Sequence, residues 1–274
     1  MATDKKIKGL VPSGFGLNCD KETKHSLELA GIATDKVHLT DLYNKNVKLA
    51  DYHILTLIGG FDHGDELGAG VVWANNFKDY LRDDLLKFIE DGKLIIGICN
   101  GFQAIVKMGV LPGIDKNYNN RTMSVTYNDC GNFRDQWVTL KINPDSNCVF
   151  TKGIEYIDLP IRHGEGKVET IDKETRERLK KENLIVMQYC LWQTKEIANG
   201  SFPDNPNGSL DDIAGICDPT GRIFGLMPHP EAYNSFTNHP LWTRQKYELE
   251  KQEKKPDSEG LGIKIFRNAA KYFE

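Results

Sequence analysis

Five consecutive apolar or small residues, Leu94-Ile95-Ile96-Gly97-Ile98, run directly into Cys99-Asn100-Gly101-Phe102-Gln103. A run that is apolar at every position, rather than at alternate ones, suits a strand covered on both faces. Such strands lie inside parallel sheets flanked by helices. The run ends in Gly97-x-Cys99-x-Gly101, the spacing of a sharp strand-to-helix turn with a nucleophile at its apex. The residues two before and two after must be small for strand and helix to pass each other. The helix that follows would offer Cys99 free N–H groups and the positive end of its dipole. Both favour thiolate, the reactive form. A buried, inert cysteine in a glycine-rich turn fits the same spacing.

The rest of the chain supports an α/β architecture. Residues 7–11, 36–40 and 54–58 read as strands, and 21–30 reads as a helix ended by Gly31. Residues 77–90 place Phe77, Tyr80, Leu81, Leu85, Phe88 and Ile89 at helical spacing, with Gly92 just beyond. A helix is expected from about residue 100 to 108. The second half changes character. Residues 137–142, 184–188, 213–217 and 223–227 read as strands with few helices between them, and Asp218-Pro219-Thr220-Gly221 gives a hairpin signal. Residues 173–182 form a charged, solvated helix, 201–209 a loop, and 248–259 an exposed, Pro-broken stretch. The expected fold is a mostly parallel sheet sandwiched by helices with a small antiparallel extension. No internal repeat or linker interrupts it, so residues 1–274 are expected to form a single domain, with a C-terminal helical extension over about residues 239–274.

Composition narrows the function by exclusion. The formal net charge is −4, without the basic excess of nucleic-acid binders. Residues 1–8 contain no apolar segment of the signal-peptide kind, and no run reaches the roughly 18–20 apolar residues of a membrane helix. The expected location is the cytoplasm. There the six cysteines, none in CxxC spacing, are expected to be free thiols, Cys19 among the structural ones.

A cysteine hydrolase needs a base and a group to orient it. His229 lies in Gly225-Leu226-Met227-Pro228-His229-Pro230-Glu231, just past an apolar run and between two prolines that stiffen the backbone. Glu231 could accept from the imidazole and fix its tautomer. The other histidines are weaker candidates. His25 and His38 read as surface or helix-flank residues, His53 as structural and His239 as a helix-start residue. His63 and His163 fall in Gly-rich loops that could line a site. No grouping has zinc-ligand spacing, so no metal is expected. Gly59-Gly60, at the end of another apolar run, can turn backbone N–H groups inward toward an oxyanion, and Asn100 can supply a second N–H. A plain tight turn explains the glycine pair equally well.

With these residues assembled, the chain resembles the class I glutamine amidotransferases, which have a flavodoxin-like fold. Gly97-Ile98-Cys99-Asn100-Gly101-Phe102-Gln103 matches their nucleophile motif, and His229-Pro230-Glu231 their His-x-Glu. Five segments point further, to the glutaminase subunits of phosphoribosylformylglycinamidine synthase. They span residues 16–20, 59–65, 163–166, 207–215 and 227–231. The chain departs from that pattern at Ile58, where Pro is usual, and at Asp62-His63, where Ser-Tyr is usual.

The resemblance implies a glutaminase. Cys99 would attack the glutamine side-chain amide. His229 would protonate the departing ammonia and then activate water against the thioester, with Glu231 orienting it. Gly60 and Asn100 would form the oxyanion hole, and Gly59, Phe61 and Gln103 would bind substrate. Ammonia would pass to a synthetase subunit that amidates formylglycinamide ribonucleotide in purine biosynthesis. No cofactor is implied on this chain; ATP and Mg would belong to the synthetase. Two other readings stay open: another elbow-cysteine hydrolase of peptidase or deglycase type, and a non-catalytic regulatory subunit with the same fold.

Overall fold

The apolar runs become the middle of a nine-stranded sheet. In the computed structural model, which describes residues 6–274, the first half of the chain contains β1 (Lys8–Ser13), α1 (Asp20–Leu29), β2 (Ala33–His38), α2 (Leu39–Tyr43), β3 (Ile54–Leu57), α3 (Val71–Glu90), β4 (Leu94–Ile98) and α4 (Asn100–Met108). The second half contains β5 (Met123–Tyr127), β6 (Arg134–Ile142), β7 (Tyr156–His163), β8 (Glu165–Thr170), α5 (Lys173–Lys181), β9 (Ile185–Cys190), β10 (Ile213–Cys217), β11 (Ile223–Leu226), α6 (Trp242–Lys251) and α7 (Ile263–Lys271).

The sheet order is β2-β1-β3-β4-β11-β10-β9-β6-β7. The ladders from β2 to β11 are parallel, in the 2-1-3-4-5 order of flavodoxin-like sheets. Every residue of β3 and β4 is buried, which requires cover on both faces. The chain steps from β1 to β2 in one direction along the sheet and from β3 to β4 in the other. Right-handed crossovers therefore set α1 and α3 on opposite faces. Helix α7 packs on α1, and α4 on α3. The reversal of order falls between β1 and β3, where the carboxyl ends of strands open a crevice suited to a ligand.

The antiparallel part is larger than the small extension expected, with four antiparallel ladders from β11 to β7. Strands β5 and β8 form a separate pair. Strands β5, β7 and β8 escape the sequence reading because they alternate apolar and polar residues or carry proline. Pro160 lies in β7, an edge strand, where a missing donor is tolerated. Helix α3 starts at Val71, earlier than its apolar stripe suggests. Gly70 caps it with a left-handed backbone, and its first turns bury Trp73 and Ala74.

Near the C-terminus, residues 248–251 complete α6, a helix with no buried residue. The strongly amphipathic α7 instead buries Ile263, Ile265, Phe266, Ala269 and Ala270. Asn268 Nδ2 donates to the carbonyls of Phe150 and Lys152, at 2.9 Å each. A side chain at Gly262 would meet the Pro230 carbonyl oxygen at 2.0 Å, so α7 starts directly against the loop that holds His229. Among the described residues no helix is long and apolar enough to cross a membrane.

Candidate active site

Cys99 stands at the turn from β4 into α4 with φ +50° and ψ −105°, a backbone that a residue with a Cβ adopts only under strain. Its neighbours hold it there. Cys99 N donates to the Leu226 carbonyl at 2.8 Å and Gly101 N to the Ile58 carbonyl at 3.0 Å. The small residues have a steric cause. A Cβ on Gly101 would stand 2.0 Å from the Leu57 carbonyl oxygen, and one on Gly97 would stand 2.9 Å from that of Gly101. The first turn of α4 thus runs against the end of β3. The Cys99 side chain is 5% exposed, with Sγ 3.7 Å from the Arg162 carbonyl oxygen.

His229 follows β11, the neighbour of β4, and its N–H donates to the Pro160 carbonyl at 2.8 Å. Its Nδ1 lies 2.5 Å from Glu231 Oε1. Glu231 is fully buried, and its own carbonyl accepts from Ser26 Oγ and Asn234 Nδ2. The carboxylate acceptor sets the proton on Nδ1 and leaves Nε2 to exchange protons. Burial opposes a charged imidazole here. The Glu231 carboxylate, and then the Cys99 and Cys19 thiols, outweigh it and hold His229 well above its ordinary pKa. The Cys99 thiol thus lies within hydrogen-bonding reach of His229.

The loop after β3 completes the surroundings. A Cβ on Gly59 would meet His229 Cε1 at 2.6 Å. Gly60 has φ +147°, and a Cβ there would fall 2.7 Å from Leu17 Cα. Phe61 N donates to the Gly16 carbonyl, and Asp62 N to Asn100 Oδ1 at 3.1 Å. These bonds tie the Gly59-Gly60 segment to the loop after β1 and to the start of α4, so the two segments expected to offer oxyanion N–H groups, at Gly60 and Asn100, are held side by side. Phe61 is 42% exposed, its ring 6.2 Å from that of Phe133. Gln103 is 3% exposed and committed at both ends of its amide: Oε1 accepts from Asn100 Nδ2 and Nε2 donates to the Glu165 carbonyl. The contacts it makes position the turn between β7 and β8.

Asn100 Nδ2 also donates to Asp65 Oδ1 at 3.0 Å. Burial pushes the Asp65 carboxyl up to about 6. The Glu165 carboxylate accepts from Ala69 N and lies 3.9 Å from Lys107 Nζ. His163, expected in a loop, ends β7 and is buried, its Nδ1 3.1 Å from Asn128 Oδ1. That oxygen also accepts from Gly166 N, so Nδ1 is the donor. Burial first, then the nearby His229 charge, pushes His163 down to about 3. His63 instead pairs with the buried Asp62, Nδ1 to Oδ2 at 3.0 Å, and stacks on Phe15.

Sequence reasoning took Cys19 for a structural residue. The fold brings its Sγ to 4.0 Å from His229 Nδ1. The available signal was position, since Cys19 follows β1, beside the point where strand order reverses.

Residues 6–273 match the family of CobB/CobQ-like glutamine amidotransferase domains. The chain belongs to this family. The amidotransferase is 44% identical over 272 residues to the phosphoribosylformylglycinamidine synthase subunit PurQ of Methanococcus maripaludis, with 97% of each chain covered. It is 44% identical over 267 residues to the subunit of the same name from Dehalococcoides mccartyi, covering 97% of this chain and 98% of that one. Among solved structures it is similar to a chain of PurLQS from Thermotoga maritima. The TM-score is 0.69 at 30% identity, over 98% of the amidotransferase and all of that chain. The mixed sheet with flanking helices is thus the class I glutamine amidotransferase fold.

Proposed function

We propose that this amidotransferase is the glutaminase subunit of a phosphoribosylformylglycinamidine synthase. It hydrolyses L-glutamine to glutamate and ammonia and delivers the ammonia to a synthetase subunit. The observation that carries this is a near full-length likeness to PurQ subunits in a chain whose Cys99 sits on a strained turn beside a carboxylate-held His229.

In this reading the Cys99 thiolate attacks the side-chain amide carbon of glutamine. The oxyanion is held by the Gly60 and Asn100 N–H groups. His229 donates its proton to the departing nitrogen, and ammonia leaves a γ-glutamyl thioester on Cys99. Nε2 of the neutral ring then accepts a proton from water, which attacks the thioester and releases glutamate. Glu231 keeps the ring in the required tautomer throughout. Gly59 gives the substrate room beside His229, and Phe61 forms part of the rim. Gln103 acts through its bonds to Asn100 and Glu165. Ligase chemistry, ATP and Mg belong to the synthetase, which amidates formylglycinamide ribonucleotide. Residues 239–274 act as part of one domain with the rest, since α7 braces the His229 loop. The six cysteines are unpaired, as suits a reducing cytoplasm.

The test is a diazo-ketone glutamine analogue, with adducts mapped by mass spectrometry on the chain alone and with its synthetase. Single labelling at Cys99, suppressed by excess glutamine and absent in Cys99→Ala, is expected. Labelling spread over several cysteines and indifferent to glutamine in both samples refutes the reading.

A further inference from the structure

His229 has two neighbours on its Nδ1 side. Glu231 Oε1 lies 2.5 Å away and Cys19 Sγ 4.0 Å away. One ligating atom from each of Cys19, His229 and Glu231 falls within 4.8 Å of the other two, and all three residues are buried. The second carboxylate oxygen, Glu231 Oε2, is buried without a hydrogen-bond partner. An ionised oxygen left in that state is costly unless a cation or donor reaches it. Packing alone does not account for Cys19, because its sulfur faces the one imidazole the reaction needs.

We propose that Cys19, His229 and Glu231 form an inhibitory zinc site. A thiolate, an imidazole nitrogen and a carboxylate oxygen make a zinc donor set, with bonds of about 2.3, 2.0–2.1 and 2.0–2.2 Å and a fourth position open to water. Tetrahedral donors at those lengths stand roughly 3.3–3.6 Å apart. The Cys19–His229 separation has to close slightly, and the His229–Glu231 contact has to open by a turn of the carboxylate that brings Oε2 to the metal. One thiolate and one carboxylate balance the dication around a neutral ring, so the loaded site adds no net charge to the interior. Binding sends both the Cys19 thiol proton and the Nδ1 proton of His229 to solvent and replaces the Nδ1–Glu231 hydrogen bond. The ring proton then resides on Nε2. That atom can no longer accept a proton from water, so hydrolysis of the thioester stops.

The test uses the full-length chain, stripped by chelator and titrated with Zn²⁺ alone against a chromophoric chelator. Co²⁺ serves as a spectroscopic substitute. One zinc per chain is expected in the wild type and in Cys99→Ala, with a thiolate-to-cobalt charge-transfer band in both. Cys19→Ser should lose the band and weaken zinc binding by more than the ~10–100-fold that follows loss of a mere outer-shell partner. Zinc should also shield Cys19 of the wild-type chain from alkylation, a readout that needs no folded variant. A band that survives in Cys19→Ser but vanishes in Cys99→Ala overturns the assignment, as does failure of the wild type to bind one zinc. None of these readouts requires glutamine turnover, so the site and the glutaminase reading fail separately.

Discussion

Glu231→Gln keeps an acceptor beside His229 but removes the charge that holds its proton. The molecule contains its own control. His163 is as deeply buried as His229, each being 2% exposed, but its Nδ1 meets a neutral amide oxygen rather than a carboxylate. Burial, helped by the charge at His229, pushes His163 down to about 3. His229 is raised because Glu231, foremost among the groups opposing burial, favours the imidazolium. An amide at residue 231 should therefore move His229 toward the behaviour of His163 and leave it neutral at pH 7. Breaking a buried charge pair costs about 3–5 kcal/mol. At about 1.4 kcal/mol per tenfold, that is roughly two to four powers of ten in the rate at which the diazo-ketone labels Cys99. The assay pairs this labelling rate at pH 7 with an NMR titration of the His229 ring. Stability supplies a second readout with a definite sign. The raised pKa of wild-type His229 contributes stability that is fully present below its unfolded value of about 6.5 and is lost as pH rises through the folded-state pKa. In the variant the sign reverses, and stability is lost as pH falls below about 6.5. A ring that still titrates above its ordinary pKa in Glu231→Gln, with labelling unchanged, would refute this account of the site.

Three further outcomes follow from contacts already described. Gly59→Ala puts a Cβ 2.6 Å from His229 Cε1 and 3.1 Å from Cys19 Sγ; overpacking of this kind costs about 1–3 kcal/mol, and Cys99 labelling should drop more than the melting temperature does. Asp65→Asn should raise the melting temperature at pH 8 and leave it unchanged near pH 4, because burial raises the Asp65 pKa to about 6 and makes its ionised form the unfavourable one. Asparagine also tolerates the left-handed backbone at that position, where φ is +54°. Phe266→Ala removes a fully buried ring from α7 and should cost about 3–5 kcal/mol in urea unfolding, with slower labelling of Cys99 because α7 supports the His229 loop.

The parallel half of the fold was legible in β1, β3 and β4, which are apolar on both faces, and in helices with clear stops; the half-polar β2 runs over Ala33–His38 instead of 36–40, because residues 39 and 40 already belong to α2. Helix α4 and strand β10 fall on the expected residues. Strands β5, β7 and β8 were not legible. Each is short or half-polar, and β7 carries Pro160, a residue that argues against a strand until the strand is known to lie on an edge. The extent of the antiparallel half was underestimated for the same reason.

Spacing along the chain determined the turn at Cys99 and the local pairing of His229 with Glu231, because both depend on residues two apart. It also determined the chain's family, since several short motifs had to agree. Only the tertiary structure decided which thiols share the imidazole. Cys19 and His229 are 210 residues apart, and their contact exists because β1 and β11 bring their carboxyl ends to one edge of the sheet. It likewise decided that the Gln103 amide is spent on protein partners, and that His163 is pushed below and His229 above the ordinary histidine pKa. Those outcomes depend on which groups burial leaves within reach of a charge, and that is set by packing across the whole sheet rather than by any local run of residues.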